Sequence, residues 1–246
     1  AAGLEGGIFA ALTAVTDDLL SREWLREDGA ALRIERALID ANWGSSTDIV
    51  YQFCRQSAWS GILYPAHGRY VGASSKPMTE YRKQPGDRLG FNWMMPNVAG
   101  KRAIRHVIFD SNFWKSFIHA RLAVPMGDKS SLAFYGRQPQ LHQLMAEHLT
   151  AEYRVKTIGR GRTVDEWKIR PNRSDNHWLD CLSGCAVCAS MLGSTLPEFG
   201  VATTRKRQAG PVRLSDMRKI ADSVTAAKPQ RAKVRLSELR GNLKKK

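Results

Sequence analysis

The chain has 246 residues, with 38 Lys and Arg against 23 Asp and Glu, a formal net charge of +15. Its 43% apolar content and seven tryptophans suit one sizeable buried core and exclude a disordered chain. No stretch nears 18 uninterrupted apolar residues and the first residues lack the pattern of a signal peptide, so no membrane span and no secretion are expected.

The charge is concentrated at one end. Thr204–Lys246 holds fourteen Lys or Arg and three acids, so +11 of the +15 lies there. Such a tail, led by Arg205, Lys206 and Arg207, suits contact with DNA phosphates; an ordinary solvated terminus has the same composition. We divide the chain into a domain over 1–200 and a basic, partly disordered tail over 201–246. Three of the four cysteines crowd at Cys181, Cys185 and Cys188, which is no secreted disulfide framework and fits a reducing, cytoplasmic setting.

Taken in order, Ile8–Leu20 reads as an amphipathic helix with Ile8, Leu12, Val15 and Leu19 on one stripe. A turn at Asp28-Gly29 precedes a strand from Leu32 that ends at Asp40. Ser45–Asp48 reads as an N-cap cluster for a helix reaching Ser57. Ile62–Tyr64 is a short strand stopped by Pro65, so strand, helix and strand form a right-handed parallel crossover. His67–Lys101 is a long excursion, either a substrate-facing loop or a β-rich insertion. Strands are expected at Arg102–Phe109 and Leu132–Tyr135, with helices at Asn112–Leu122 and Gln138–Leu149. Tyr153–Ile158 and Val164–Ile169 form a hairpin about a turn at Gly159–Arg162, and the last strong helix runs Asn176–Leu192. The pattern is α/β, compatible with a ribonuclease-H-like mixed sheet flanked by helices, followed by the basic tail.

Asp40 ends an apolar strand and Asp180 opens an apolar helix, so the two can meet at one sheet edge. Phosphodiester hydrolysis by two metal ions needs carboxylates placed in this way, and hard cations such as Mg²⁺ or Mn²⁺ take oxygen ligands. The competing reading is that both acids only cap or form ion pairs. Asp110 could join as a ligand or cap the next helix. His177, Cys181, Cys185 and Cys188 form one helical stripe suggestive of zinc, but the ends of that stripe lie about 16 Å apart along the axis. Core packing is the preferred account of those cysteines. His67 with Arg69, past a parallel strand, and Arg160 with Arg162, on a turn, are candidate DNA contacts; loop and exposed-turn readings stand beside them. No phosphate-cradling Gly-x-x-x-x-Gly-Lys-Ser/Thr loop occurs.

Together these residues resemble the nuclease domain of the large terminase subunit of lambda-like tailed bacteriophages. The similar stretches are Leu32–Gly44, Thr47–Cys54 with Ile62–Gly68, Asp110–Leu122, Leu144–Val155 carrying Ala151-Glu152, and Trp167 followed by Asn176–Ala189. The resemblance spans residues 8 to 193. It implies a ribonuclease-H-like fold, double-stranded DNA as substrate, Asp40 and Asp180 as catalytic acids, and Mg²⁺ or Mn²⁺ as cofactor. It also implies the small terminase subunit and the procapsid portal as partners, inside a bacterial host cell. Three departures accompany it. The family's first strand, with its metal-bridging aspartate, is expected to precede this chain, and so is its ATPase motor; Leu12–Asp18 only echoes that strand. His177 stands where the family has glutamate. An incomplete site would leave a DNA- or portal-binding remnant of a terminase, the alternative to a working endonuclease.

Overall fold

The computed structural model describes residues 3–26, 28–98, 104–136, 138–173, 175–194 and 233–235. Its elements begin with α1 (Leu4–Leu20), β1 (Glu23–Leu25), β2 (Ala31–Leu32), β3 (Ala37–Asp40), α2 (Thr47–Gln56) and β4 (Leu63–Arg69). They continue with β5 (Arg88–Gly90), β6 (Trp93–Met95), β7 (Val107–Asp110), α3 (Ser111–Leu122) and α4 (Gln143–Leu149). The hairpin β8 (Glu152–Gly159) and β9 (Arg162–Ile169), α5 (His177–Met191) and β10 (Lys233–Arg235) complete them. Contacts divide the chain into two units, Ala1–Phe9 with Arg36–Leu196, and Ala10–Glu35 with Pro197–Lys246.

The larger unit is built on a five-stranded sheet of order β3-β4-β7-β6-β5. β3, β4 and β7 run parallel, and β6 and β5 continue antiparallel. This α/β arrangement, a mixed sheet flanked by helices, is consistent with a ribonuclease-H-like fold. One face buries Ala66, Val107, Phe109 and Trp93 against Trp114 of α3 and Val187 of α5. The opposite face gathers Val71, Met78, Met94 and Ile108. A third cluster joins Ile118, Leu149 and Leu179, tying α3, α4 and α5 together. In the smaller unit β1 pairs antiparallel with β2 and parallel with β10. No helix of the described residues is long and apolar enough to cross a membrane.

Several boundaries differ from the sequence expectation, each for a physical reason. The strand expected over Leu32–Asp40 is two strands in separate sheets, broken around the charged Arg33, Glu35 and Arg36; Arg33 ion-pairs with Glu23. Pro65 does not stop β4 but lies inside it. Ala37 and Ala41 bond the carbonyls of Ile62 and Ala66, so even-numbered residues of β4 face β3. Pro65 thus faces β7, whose pairing starts only at Ala66 with Val107, and its missing N–H leaves no gap in the ladder.

The expected N-cap cluster makes no side-chain cap on α2; Gly44–Ser46 is a short 3-10 turn instead. Thr47 spends its hydroxyl on the Ala41 carbonyl at 2.8 Å. Leu132–Tyr135 is not a strand, because Leu132 and Phe134 pack on the α3–α4–α5 cluster and no strand among the described residues pairs with it. On α1 the buried residues are Thr16 and Leu20, one step round from the expected stripe, and Val15 is 55% exposed. The excursion after His67 holds β5 and β6, so it is the β-rich insertion. The sequence also suggests short helices over 215–224 and 236–239 within the basic tail, and both segments lie outside the described residues.

Candidate functional site

Register decides which face each acid takes, because paired residues share a face and successive residues alternate. Asp40 pairs with Ala66, and Ala66 with Val107, so Asp40 belongs to the face covered by α3 and α5. Arg69 pairs with Asp110, two residues beyond Ile108, so Asp110 takes the opposite face. The structure therefore separates Asp110 from Asp40 although both end parallel strands.

Asp40 is exposed, and its Oδ1 accepts the Asn42 N–H at 3.0 Å in a tight turn. Helix α5 lies against β3, with Gly184 beside Leu38. That approach brings Asp180, in the first turn of α5, to the same neighbourhood. The Cys181 thiol is raised first by burial and then by the negative charges of both Asp180 and Asp40. Both carboxylates therefore act on the same thiol, across the contact of α5 with β3.

Asp180 is not alone there. Lys115, buried on α3, reaches its Oδ1 at 2.9 Å and Glu152 at 2.5 Å. Glu152 also accepts from Asn176 Nδ2 at 2.5 Å. The buried Lys115 and Glu152 satisfy each other, as buried charges must. The lysine leaves Asp180, with its side chain 51% exposed, fixed in position at the surface.

The opposite face carries a second polar group. His67 Nδ1 meets Asn42 Oδ1 at 2.8 Å and its Nε2 meets the Tyr51 hydroxyl at 2.8 Å. Asn42 Nδ2 donates to the Gly68 carbonyl at 3.1 Å, which turns its oxygen toward His67. Nδ1 of His67 therefore donates, and its Nε2 accepts the Tyr51 O–H. Asp110 caps α3 by accepting the Phe113 N–H at 3.1 Å, and burial pushes its carboxyl up to about 6.

The remaining expected residues are dispersed. His177 opens α5, exposed, with Nε2 3.8 Å from Asp175 and its ring near His148. Arg160 is exposed at φ 50 on a two-residue turn with Gly161 at φ 72, the geometry that matches hairpin twist. Arg162 donates to the Gly72 carbonyl at 2.8 Å and to that of Ser75, holding the 72–75 loop against β9. Arg205, Lys206 and Arg207 lie outside the described residues. Cys188 is buried, whereas Cys181 and Cys185 keep exposed surface even though partial burial raises both thiols, so core packing accounts fully for one cysteine of that stripe and not three. Among the described residues no group of three or more His, Cys, Asp or Glu is placed to hold a metal ion.

Sequence reasoning missed the Lys115–Glu152–Asp180 network and the Asn42–His67–Tyr51 chain. Both join residues far apart in sequence by side-chain geometry that no periodicity encodes; the only local signals were Asn42 two places after Asp40 and Glu152 after Ala151.

No curated protein and no solved structure matches the chain. The family model for the endonuclease domain of the terminase large subunit gpA matches residues 10–198. With more than half its length covered by that match, and with an α/β mixed sheet flanked by helices, the chain belongs to the terminase large subunit endonuclease-domain family.

Proposed function

We propose that this domain cuts DNA during phage genome packaging in a metal-dependent reaction, with Asp40 and Asp180 as the ion-holding acids. What supports it is the packing of α5 on β3, which sets Asp180 on the sheet face that Asp40 takes, with both carboxylates acting on the Cys181 thiol. Carboxylate oxygens are the donors that Mg²⁺ and Mn²⁺ prefer, so these two acids fit a hard divalent cation. A bound cation would activate water and offset charge on the leaving oxygen.

The chain's own residues prepare that site. The Asn42 amide orients the Asp40 carboxylate, and Lys115 fixes Asp180. The exposed Arg160, the exposed Arg69 and the basic tail offer charge to the phosphates of double-stranded DNA. A second ion, as in a two-metal mechanism, needs further ligands beside this pair. Small terminase subunit and procapsid portal are the partners this role calls for, in the cytoplasm of a bacterial host.

A second reading has its own support. Lys115 already ion-pairs with Asp180, and no group of three acids able to hold a metal converges among the described residues. On that reading the domain binds DNA or portal without cutting. Calorimetric titration with Mn²⁺ separates the two. Saturable binding that Asp40→Asn and Asp180→Asn each abolish supports the enzyme; no binding by the folded chain supports the binding module.

A further inference from the structure

On the sheet face opposite Asp40 lies a pocket of about 340 Å³, lined by Asn42, Tyr51, His67, Arg69 and His106 over an apolar floor at Ile108. We propose that it is a subsite for one unpaired nucleotide of the DNA strand, with the phosphate on Arg69 and the base against the rings; this rests on the nuclease reading above.

The volume is that of a small-ligand site. Three rings converge in it. His67 and His106 meet edge to face at 5.4 Å, and Tyr51 lies 5.9 Å from His67 and 5.7 Å from His106. Ring surfaces of this kind take any base, because every base has a π face. Arg69 is exposed at the carboxyl end of β4 and its planar fork suits a phosphate. No carboxylate is among the pocket's lining residues, so its charge complements an anion.

The pocket is also preorganised and coupled to the proposed cutting site. Asn42 donates its backbone N–H to Asp40 and holds His67 with its side-chain oxygen, while Tyr51 holds the other ring nitrogen. One residue thus links the acid on one face to the ring on the other, around the end of β3. A strand cut at Asp40 could place a neighbouring nucleotide in this pocket, provided that nucleotide has left the duplex stack.

The test is titration of the folded chain with thymidine 5′-monophosphate in EDTA, followed by the ring proton signals of His67 and His106. Saturable shifts of both signals, weakened at least tenfold by Arg69→Gln and also weakened by Tyr51→Phe, are expected, with thymidine giving none. Absent shifts, an unchanged affinity in Arg69→Gln, or inorganic phosphate binding as tightly as the nucleotide would overturn the proposal. The assay is metal-free, so it fails separately from the nuclease reading. A chain that binds the nucleotide yet never nicks DNA keeps the pocket and loses the enzyme; one that nicks DNA yet ignores the nucleotide loses the pocket alone.

Discussion

The Lys115 ammonium stands 2.9 Å from Asp180 and also bonds Glu152, so one buried cation serves a surface acid and a buried one. The two partners differ in what they would lose. Glu152 has only 5% of its side chain exposed and would be left as an unpaired buried charge, whereas Asp180 at 51% would be rescued by water. Lys115→Met is therefore expected to destabilise the domain by roughly 3–5 kcal/mol. Adding Glu152→Gln should recover part of that loss. Urea unfolding checks this, and a loss under about 1 kcal/mol would contradict the pairing.

Asp110 gives a pH signature. Burial raises its carboxyl to about 6 in the folded state, above the ordinary value of 3.8. The folded state then holds the proton more tightly than the unfolded one, so this group's contribution to stability falls as pH rises between those two values and is level above about 6. The penalty is on the order of 3 kcal/mol. Asp110→Asn keeps a capping side chain and should remove this fall. The difference in stability between wild type and Asp110→Asn, measured from pH 4 to 7, should therefore change across that window; a constant difference would contradict it.

The hairpin turn makes a sharper distinction between two adjacent residues. Gly161 has φ 72 and Arg160 φ 50, both in the left-handed region. Gly161→Ala should cost about 1 kcal/mol, and Arg160→Asn should be neutral or stabilising, since Asn tolerates this conformation. Thermal unfolding of both variants checks the pair.

Removal of Thr204–Lys246 takes away fourteen basic side chains. DNA affinity should fall, and the slope of its logarithm against the logarithm of salt should flatten by about 0.9 for each phosphate the shortened chain leaves unneutralised. An unchanged slope would mean that the tail does not touch DNA.

The elements with strong periodicity were legible in the sequence: α2, α3, α5, the β8–β9 hairpin with its Gly-rich turn, and the acid at the end of β3. The break between β2 and β3 was not, because Leu32 and Ala37–Ile39 read as one apolar run while their partner strands lie in different sheets. Pro65 misled because its tolerance depends on which neighbour its nitrogen faces. For the site, the positions of the two acids were legible, Asp40 at the end of β3 and Asp180 in the first turn of α5. The separation of Asp110 from Asp40 could not, since it turns on the register Asp40–Ala66–Val107 and on the parity of four residues in β7.

The most direct measurement is nicking of supercoiled plasmid by the 246-residue chain with Mn²⁺, beside Asp40→Asn, Asp180→Asn and an EDTA control. Nicked product is expected from the wild-type chain and none from either variant or with EDTA. Both acids are exposed, so the variants should fold. An intact plasmid after incubation with a folded chain, or cutting that survives Asp40→Asn, would contradict it.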